Sequence, residues 1–141
     1  LGATPVLGAY VKRNQIAVDR GGYATALKSI VRGARVAVAK GGQVLIFPEG
    51  TRQELDAPPD YKPGIAAMYK DLNLPVTPVA LNTGLIWKPR GLMRNPGEVT
   101  FKVLPPIPPG LPRDEFMREL ERVIETESQA LLPPDKRRAQ P

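Results

Sequence analysis

The chain of 141 residues is long enough for one folded domain with a core of modest size. It contains no cysteine and no histidine, which excludes disulfides, thiolate metal sites, a cysteine nucleophile and a histidine base within these residues. Its net charge of +6 suits phosphate-bearing partners, either anionic lipid or nucleic acid, without choosing between them.

The first part of the chain is predicted to contain two helices and two strands. A short helix is expected over residues 6–13 and a short β-prone segment over 15–18. A longer helix is predicted over 23–40, because its apolar residues recur at helical spacing and a Gly-Gly pair follows. The run VLIF at 44–47 is continuously apolar and bounded by turn residues, which is typical of a buried parallel strand.

The second part is predicted to contain two more helices and two more strands. A helix is expected over 65–72, followed by a β-prone segment over 76–81, in which Pro78 favours an edge or irregular strand. Residues 98–104 alternate between apolar and polar, which predicts a strand with one apolar face. The best-defined helix is predicted over 113–130, with an apolar stripe along it and acidic residues in its first turn.

The alternation of strands and helices indicates an α/β fold, with a mixed, mostly parallel sheet flanked by helices. Residues 1–132 are interpreted as one domain, and residues 133–141 (PPDKRRAQP) are predicted to form a disordered basic tail. The first residue is leucine and no signal-like pattern follows it, so the domain is expected to be truncated at its N-terminus.

The segment FPEGTR at 47–52 carries the side chains with the clearest chemistry. It follows a predicted strand, and open α/β sheets bind ligands at the carboxyl ends of their strands. Gly50 permits close approach of the backbone to a ligand, Thr51 offers a hydroxyl, and Arg52 offers a planar group suited to phosphate. Glu49 could accept from a substrate hydroxyl or orient an arginine. A strand-to-loop turn with a surface salt bridge would have the same composition.

The string FPEGTR resembles the signature block of the glycerolipid acyltransferases, the family of lysophosphatidic acid and glycerol-phosphate acyltransferases. Residues 16–20 (IAVDR) are similar to the preceding family block, which implies that Arg20 lies near the substrate phosphate. Residues 61–64 (YKPG) resemble the Lys-Gly turn that follows the signature block, which makes Lys62 a candidate for substrate binding. Outside the resemblance, Arg20 would be a solvated arginine and Lys62 an ordinary turn lysine.

The final family block resembles VTPVAL at 76–81, which implies that Val76, Pro78 and Val79 line the acyl-chain site. Core packing explains these residues equally well.

Residues 84–94 (GLIWKPRGLMR) have the composition expected at a bilayer surface, with apolar and aromatic side chains beside lysine and arginine. A partly buried loop with long basic side chains at its rim is the alternative. No apolar run approaches the roughly 18 residues that a membrane-spanning helix needs. The candidates for membrane contact are Leu85, Ile86, Trp87 and Leu92.

The resemblance implies an acyltransferase of phospholipid biosynthesis. It would move a fatty acyl group from acyl-CoA or acyl-carrier protein to the sn-2 hydroxyl of 1-acylglycerol 3-phosphate. Arg20 and Arg52 would hold the phosphate, and Glu49, Gly50 and Thr51 would shape the glycerol pocket. The family's catalytic pair is a histidine followed, after four residues, by an aspartate. It would lie upstream of residue 1, so the chain by itself is expected to be inactive.

The resemblance implies no metal and no redox cofactor. The expected partners are lysophosphatidic acid, the acyl donor and a membrane surface. The likeness to bacterial enzymes suggests the cytoplasmic face of the inner membrane as the location. One alternative is another acceptor, such as a different lysolipid or glycerol 3-phosphate, and a second is a non-catalytic lipid- or phosphate-binding module. A nucleic-acid partner is not expected, because it would rest on net charge alone, without a platform of aromatic and basic residues.

Overall fold

The computed structural model describes residues 23–89 and 93–138. The chain divides into two compact units, residues 1–45 and residues 46–141. The described part of the first unit contains helix α1 (Tyr23–Ala39). Two residues after the end of this helix, Gly41 has a positive φ of 76°, which suits glycine. The predicted helix and its Gly-Gly ending are therefore confirmed, whereas the segments 6–13 and 15–18 lie outside the described residues.

The apolar run at 44–47 is not a strand in the structure. Leu45 is 81% exposed and Phe47 is 66% exposed, so the prediction of a buried parallel strand is wrong. An apolar run becomes a buried strand only where neighbouring strands pair with it, and within the described residues no strand does so. The only sheet in that part of the chain is antiparallel, so the mostly parallel sheet is not found there.

The second unit combines two helices with a two-stranded sheet. Strand β1 (Val79–Leu81) pairs antiparallel with strand β2 (Phe101–Val103), with Val79 opposite Val103, and a bridge between Val76 and Ile107 continues the pairing. Strand β1 begins directly after Pro78, which confirms a short strand beside this proline. The described elements of this unit are α2 (Gly64–Leu72), β1 (Val79–Leu81), a 3₁₀ turn (Thr83–Leu85), β2 (Phe101–Val103), α3 (Arg113–Ala130) and a second 3₁₀ turn (Pro134–Lys136).

Helix α3 packs its apolar stripe against α2, and the core of the second unit lies between them. Phe116 is fully buried, and its ring stacks on Tyr69 with centroids 3.8 Å apart and planes 4° from parallel. The Tyr69 hydroxyl accepts from Leu111 N at 2.9 Å and donates to the Pro108 carbonyl, so the ring is also held at its polar end. Leu120 is buried in the same cluster, which confirms the predicted stripe.

Strand β2 is shorter than the predicted strand at 98–104, and its apolar face is open. Val99, Phe101 and Val103 are 40%, 65% and 69% exposed. The predicted strand is therefore confirmed over Phe101–Val103, but the described residues of the second unit leave this face uncovered. No helix in the described ranges is long and apolar enough to cross a bilayer.

The basic segment after α3 folds back onto the helix as far as residue 138. Arg137 donates from Nε to the Leu132 carbonyl at 2.9 Å, and the backbone N–H of Arg138 donates to Gln129 Oε1 at 2.8 Å. The sequence predicted disorder from residue 133. The structure differs over 133–138 because Arg137 donates to the Ala130 and Leu132 carbonyls at the C-terminal end of the helix, while Arg138 binds the side chains of Gln129 and Glu125.

Candidate functional site

The signature segment forms a tight turn. Gly50 N–H donates to the Phe47 carbonyl at 3.0 Å, and Gly50 has a φ of 69°. A side chain at this position would meet nothing closer than Lys62 Cγ at 4.0 Å. The glycine is therefore required by the left-handed backbone of the turn, which costs other residues about 1–2 kcal/mol, rather than by lack of space.

The turn begins a loop over residues 48–62 whose two ends are tied together by hydrogen bonds. Lys62 N–H donates to the Pro48 carbonyl at 2.9 Å, and Asp60 N–H donates to Glu49 Oε1 at 3.3 Å. These contacts bring together three of the candidate substrate-binding residues, Glu49, Gly50 and Lys62, and their role in binding stays a prediction. The Lys62 ammonium pairs with the Asp60 carboxylate at the surface, where such a pair contributes little to stability.

Behind this loop, Glu49 faces a small ionic network that sequence reasoning did not find. The Tyr61 hydroxyl donates to Glu125 Oε1 at 3.0 Å, and the Arg138 guanidinium pairs with the same carboxylate. Burial raises the pKa of Tyr61, and the negative Glu125 raises it further, so the phenol stays protonated and donates. Tyr61 and Glu125 are 64 positions apart, and no motif in the chain links them.

Burial also raises the pKa of Glu49 above its ordinary value of 4.5. The negative charges of Glu125 and Asp60 add to this effect, while the Asp60 N–H and the Arg138 guanidinium oppose it. The signature loop is therefore coupled through charge to α3 and to the segment that follows α3.

Replacing Glu49 with glutamine is expected to flatten the pH dependence of stability above pH 4.5. Because the folded pKa is raised, the folded protein retains a proton that the unfolded chain has released. Stability therefore falls as the pH rises from the unfolded to the folded pKa. Glutamine keeps an oxygen for the Asp60 N–H and has no charge to desolvate. Urea unfolding of parent and variant between about pH 4 and 8 checks this. A difference in the free energy of unfolding between parent and variant that stays constant with pH would contradict this prediction.

Arg52 and Trp87, predicted as a phosphate ligand and a membrane contact, lie together. The Arg52 guanidinium carbon is 4.7 Å from the centroid of the Trp87 ring. The guanidinium of Arg94, which the sequence analysis did not assign, is 4.5 Å from the same centroid. Trp87 is 43% exposed. Both distances are within the range of cation–π contact.

The residues predicted to line the acyl-chain site lie in and beside the sheet. Val76 packs against the core cluster, Pro78 is buried, and Val79 is half-buried on β1. A groove of about 530 Å³ lies between residues 104–108 and α3, and none of the predicted site residues lines it. The acyl-chain assignment stays a prediction.

Some of the remaining candidates lie within the described residues and some lie outside them. Leu85 and Ile86 are half-buried, and Thr51 is exposed. Arg20 and Leu92 lie outside the described residues. Among residues 23–89 and 93–138 no three acidic side chains come together as metal ligands, and the expectation of no metal stays a prediction.

Comparison with known proteins gives matches of one kind. Residues 2–82 match the family model described as Acyltransferase. The chain is 34% identical over 105 residues to a 1-acyl-sn-glycerol-3-phosphate acyltransferase of Cocos nucifera, covering 73% of the chain and 34% of that relative. It is 36% identical over 90 residues to the protein of the same name in Pseudomonas aeruginosa, covering 64% of the chain and 35% of that relative. A third relative of that name, from Limnanthes douglasii, is 33% identical over 105 residues, covering 73% of the chain and 37% of its own length.

The chain thus spans about a third of the length of the curated relatives it matches. No solved structure matches this chain.

Proposed function

The chain belongs to the acyltransferase family, and on that premise we propose that the intact protein is a 1-acylglycerol-3-phosphate acyltransferase. It transfers a fatty acyl group from acyl-CoA or acyl-carrier protein to the sn-2 hydroxyl of 1-acylglycerol 3-phosphate, giving phosphatidic acid. Three relatives named for this activity support the proposal. The observation that carries it is the tied loop, which groups Glu49, Gly50 and Lys62 and contains Arg52.

In this reaction the glycerol hydroxyl loses its proton to a base and attacks the thioester carbonyl, and the thiol leaves. We assign the base to a segment outside these 141 residues, since the chain has no histidine. The contribution of this chain is then to position the acceptor. Fixing the phosphate fixes the hydroxyl on the same small molecule, and such orientation can supply a large part of a rate enhancement.

The contacts support a proposed role for each of several residues of the chain. Arg52 is exposed and presents the planar, permanently charged group that binds phosphate best. Glu49 uses Oε1 to hold the Asp60 N–H, so we assign it to shaping the loop rather than to gripping a substrate hydroxyl. Lys62 lies at the neck of the loop, where its ammonium pairs with Asp60, and it is proposed as a weaker contributor to substrate binding. Arg20 is proposed as a second phosphate ligand from the resemblance of its block.

We also propose that the protein works at a membrane surface, on the cytoplasmic face of a bacterial inner membrane. Its acceptor and product carry acyl chains, and Trp87 is exposed beside Lys88. An aromatic side chain flanked by basic residues suits the headgroup region of a bilayer.

The experiment that tests the function is acyl transfer to lysophosphatidic acid, measured for this chain and for the protein extended upstream to its natural start. We expect activity in the extended protein and none in the chain alone. Absence of acyl transfer by a well-folded extended protein, tested with both acyl donors, would refute the proposal. Transfer to glycerol 3-phosphate instead would establish the alternative acceptor, and binding of lysophosphatidic acid without transfer would establish a binding module.

A further inference from the structure

Two arginines share one aromatic ring in the second unit. Trp87 has the guanidinium of Arg52 at 4.7 Å from its centroid and that of Arg94 at 4.5 Å. The two guanidinium carbons therefore cannot be farther apart than the sum of these distances. Within the described residues, neither guanidinium pairs with a carboxylate.

Backbone contacts bring the Arg94 side of this arrangement to the indole. The N–H groups of Ile86 and Trp87 both donate to the Thr83 carbonyl, at 3.1 and 3.0 Å, which fixes the turn that carries the indole. Asn95 then binds this turn twice, because its N–H donates to the Ile86 carbonyl at 2.8 Å and its Nδ2 to the Leu85 carbonyl at 3.1 Å. Arg94, the neighbour of Asn95, is thereby held beside Trp87.

The loop that carries Arg52 is held against the same turn. A Cβ on Gly84 would lie 2.6 Å from Leu55 Cδ2, so the Leu55 side chain packs directly on the Gly84 backbone. Leu55 is three residues after Arg52, and Gly84 is three residues before Trp87. Arg52, Trp87 and Arg94 are therefore brought together by contacts of neighbouring residues. On the Arg52 side Leu55 packs on Gly84, and on the Arg94 side Asn95 binds the turn.

The electrostatics of this cluster favour an anion. The two guanidinium groups beside one ring repel each other. Their attraction to the exposed ring offsets only part of this repulsion. A phosphate has several oxygens that accept from guanidinium groups, and arginine binds it through paired hydrogen bonds. A dianion bound by both arginines would turn their repulsion into attraction.

We propose that Arg94 is a further phosphate ligand, in addition to Arg52 and Arg20, and that Trp87 is a positioning residue that holds Arg52 and Arg94 for the phosphate. The inference deepens the proposed function and rests on it for the identity of the ligand, the phosphate of the phosphorylated acceptor. Trp87 thus has a part in recognising the acceptor that is separate from any contact with lipid.

The first test is steady-state kinetics of the intact protein with a short-chain lysophosphatidate that dissolves as monomers, in the absence of vesicles. Trp87→Leu and Arg94→Ala are each expected to raise the KM for this acceptor about three- to tenfold, with the KM for the acyl donor unchanged. Trp87→Phe keeps an aromatic ring face and is expected to raise the KM for the acceptor less than Trp87→Leu does. Arg122→Ala, which removes an exposed arginine from α3, is the matched control and is expected to behave as the parent.

A purely lipid-anchoring tryptophan would give a different pattern. Trp87→Leu would then have the parent's KM for the monomeric acceptor and would be less active only with acceptor in vesicles. That result would overturn the positioning role. An unchanged acceptor KM in Arg94→Ala would overturn its role as a ligand.

A second test does not need catalysis. Trp87 is the only tryptophan in this chain, and its emission in the intact protein is obtained by subtracting the spectrum of Trp87→Phe. Titration with glycerol 3-phosphate is expected to change that emission saturably, with a midpoint about three- to tenfold higher in Arg94→Ala. A flat titration in the parent would overturn the inference. An Arg94-dependent titration in a protein that transfers nothing to lysophosphatidate would refute the proposed function and retain the phosphate site.

Discussion

Replacing Arg52 with alanine in the intact protein is expected to raise the KM for lysophosphatidic acid about ten- to a hundredfold. Hydrogen bonds to a charged partner contribute about 1.5–3 kcal/mol each, and 1.4 kcal/mol corresponds to a factor of ten. Arg52 is exposed, and its described contact is with the Trp87 ring, so its loss should leave the fold intact. Acyl-transfer kinetics over a range of acceptor concentrations at saturating acyl donor measure the effect.

Lysine at position 52 separates charge from geometry. It retains the positive charge but cannot form the paired hydrogen bonds of a guanidinium, so an intermediate KM is expected. Thermal unfolding of each variant serves as the control for structure. An acceptor KM equal to that of the parent, in an alanine variant of parental stability, would show that Arg52 does not bind the phosphate.

Replacing Phe116 with alanine is expected to lower the free energy of unfolding by about 3–5 kcal/mol, the usual range for a large aromatic side chain removed from a core. Phe116 is the largest fully buried side chain of the described residues, and it carries the stacked contact with Tyr69 that joins α3 to α2. Such a loss is comparable to the total stability of many small domains. Urea unfolding followed by circular dichroism measures it.

Phe101 provides the matched control for this change. It is also a phenylalanine of the second unit, but it is 65% exposed on β2. Phe101→Ala is therefore expected to change stability by no more than about 0.5 kcal/mol. Equal losses from the two substitutions would mean that the core does not lie between α2 and α3. Conversely, a large loss from Phe101→Ala alone would indicate that another part of the intact protein covers β2.

The helices could be predicted from the sequence because their signals are local. Helix α3 was predicted at Arg113–Ala130 and is found there, since its apolar stripe and acidic first turn are read from consecutive residues. Helices α1 and α2 differ from their predicted ranges by one residue at one end. Periodicity and helix-ending residues decide such elements without knowledge of the rest of the fold.

The strands could be predicted less well, because a strand depends on a partner elsewhere in the chain. The run at 44–47 has the composition of a buried strand, yet Leu45 is 81% exposed. Alternation at 98–104 identified β2, but the sequence does not indicate which of its faces is covered. Pairing such as that of Val76 with Ile107 joins residues far apart in sequence, where local pattern carries no information.

The candidate site was predictable where a contiguous motif carries it. The residues of FPEGTR and Lys62 were selected from the sequence, and the structure groups Glu49, Gly50 and Lys62. The network of Tyr61 with Glu125 was not predictable, because the two residues meet only through the packing of α3 behind the loop. Arg94 was missed for a similar reason, since its position depends on the hydrogen bonds of Asn95.

The return of Arg138 onto α3 has a practical consequence for domain trimming. A boundary chosen from the sequence would fall near Leu132, after the last apolar residue of the helix. Cutting there would leave the Glu125 carboxylate half-buried with Tyr61 as a donor but without its cation. Because the same arginine also lowers the pKa of Glu49, the shortened protein would protonate its signature loop at a higher pH. Protein intended for crystallisation or assay should therefore keep the chain through Arg138, and purification tags belong beyond it.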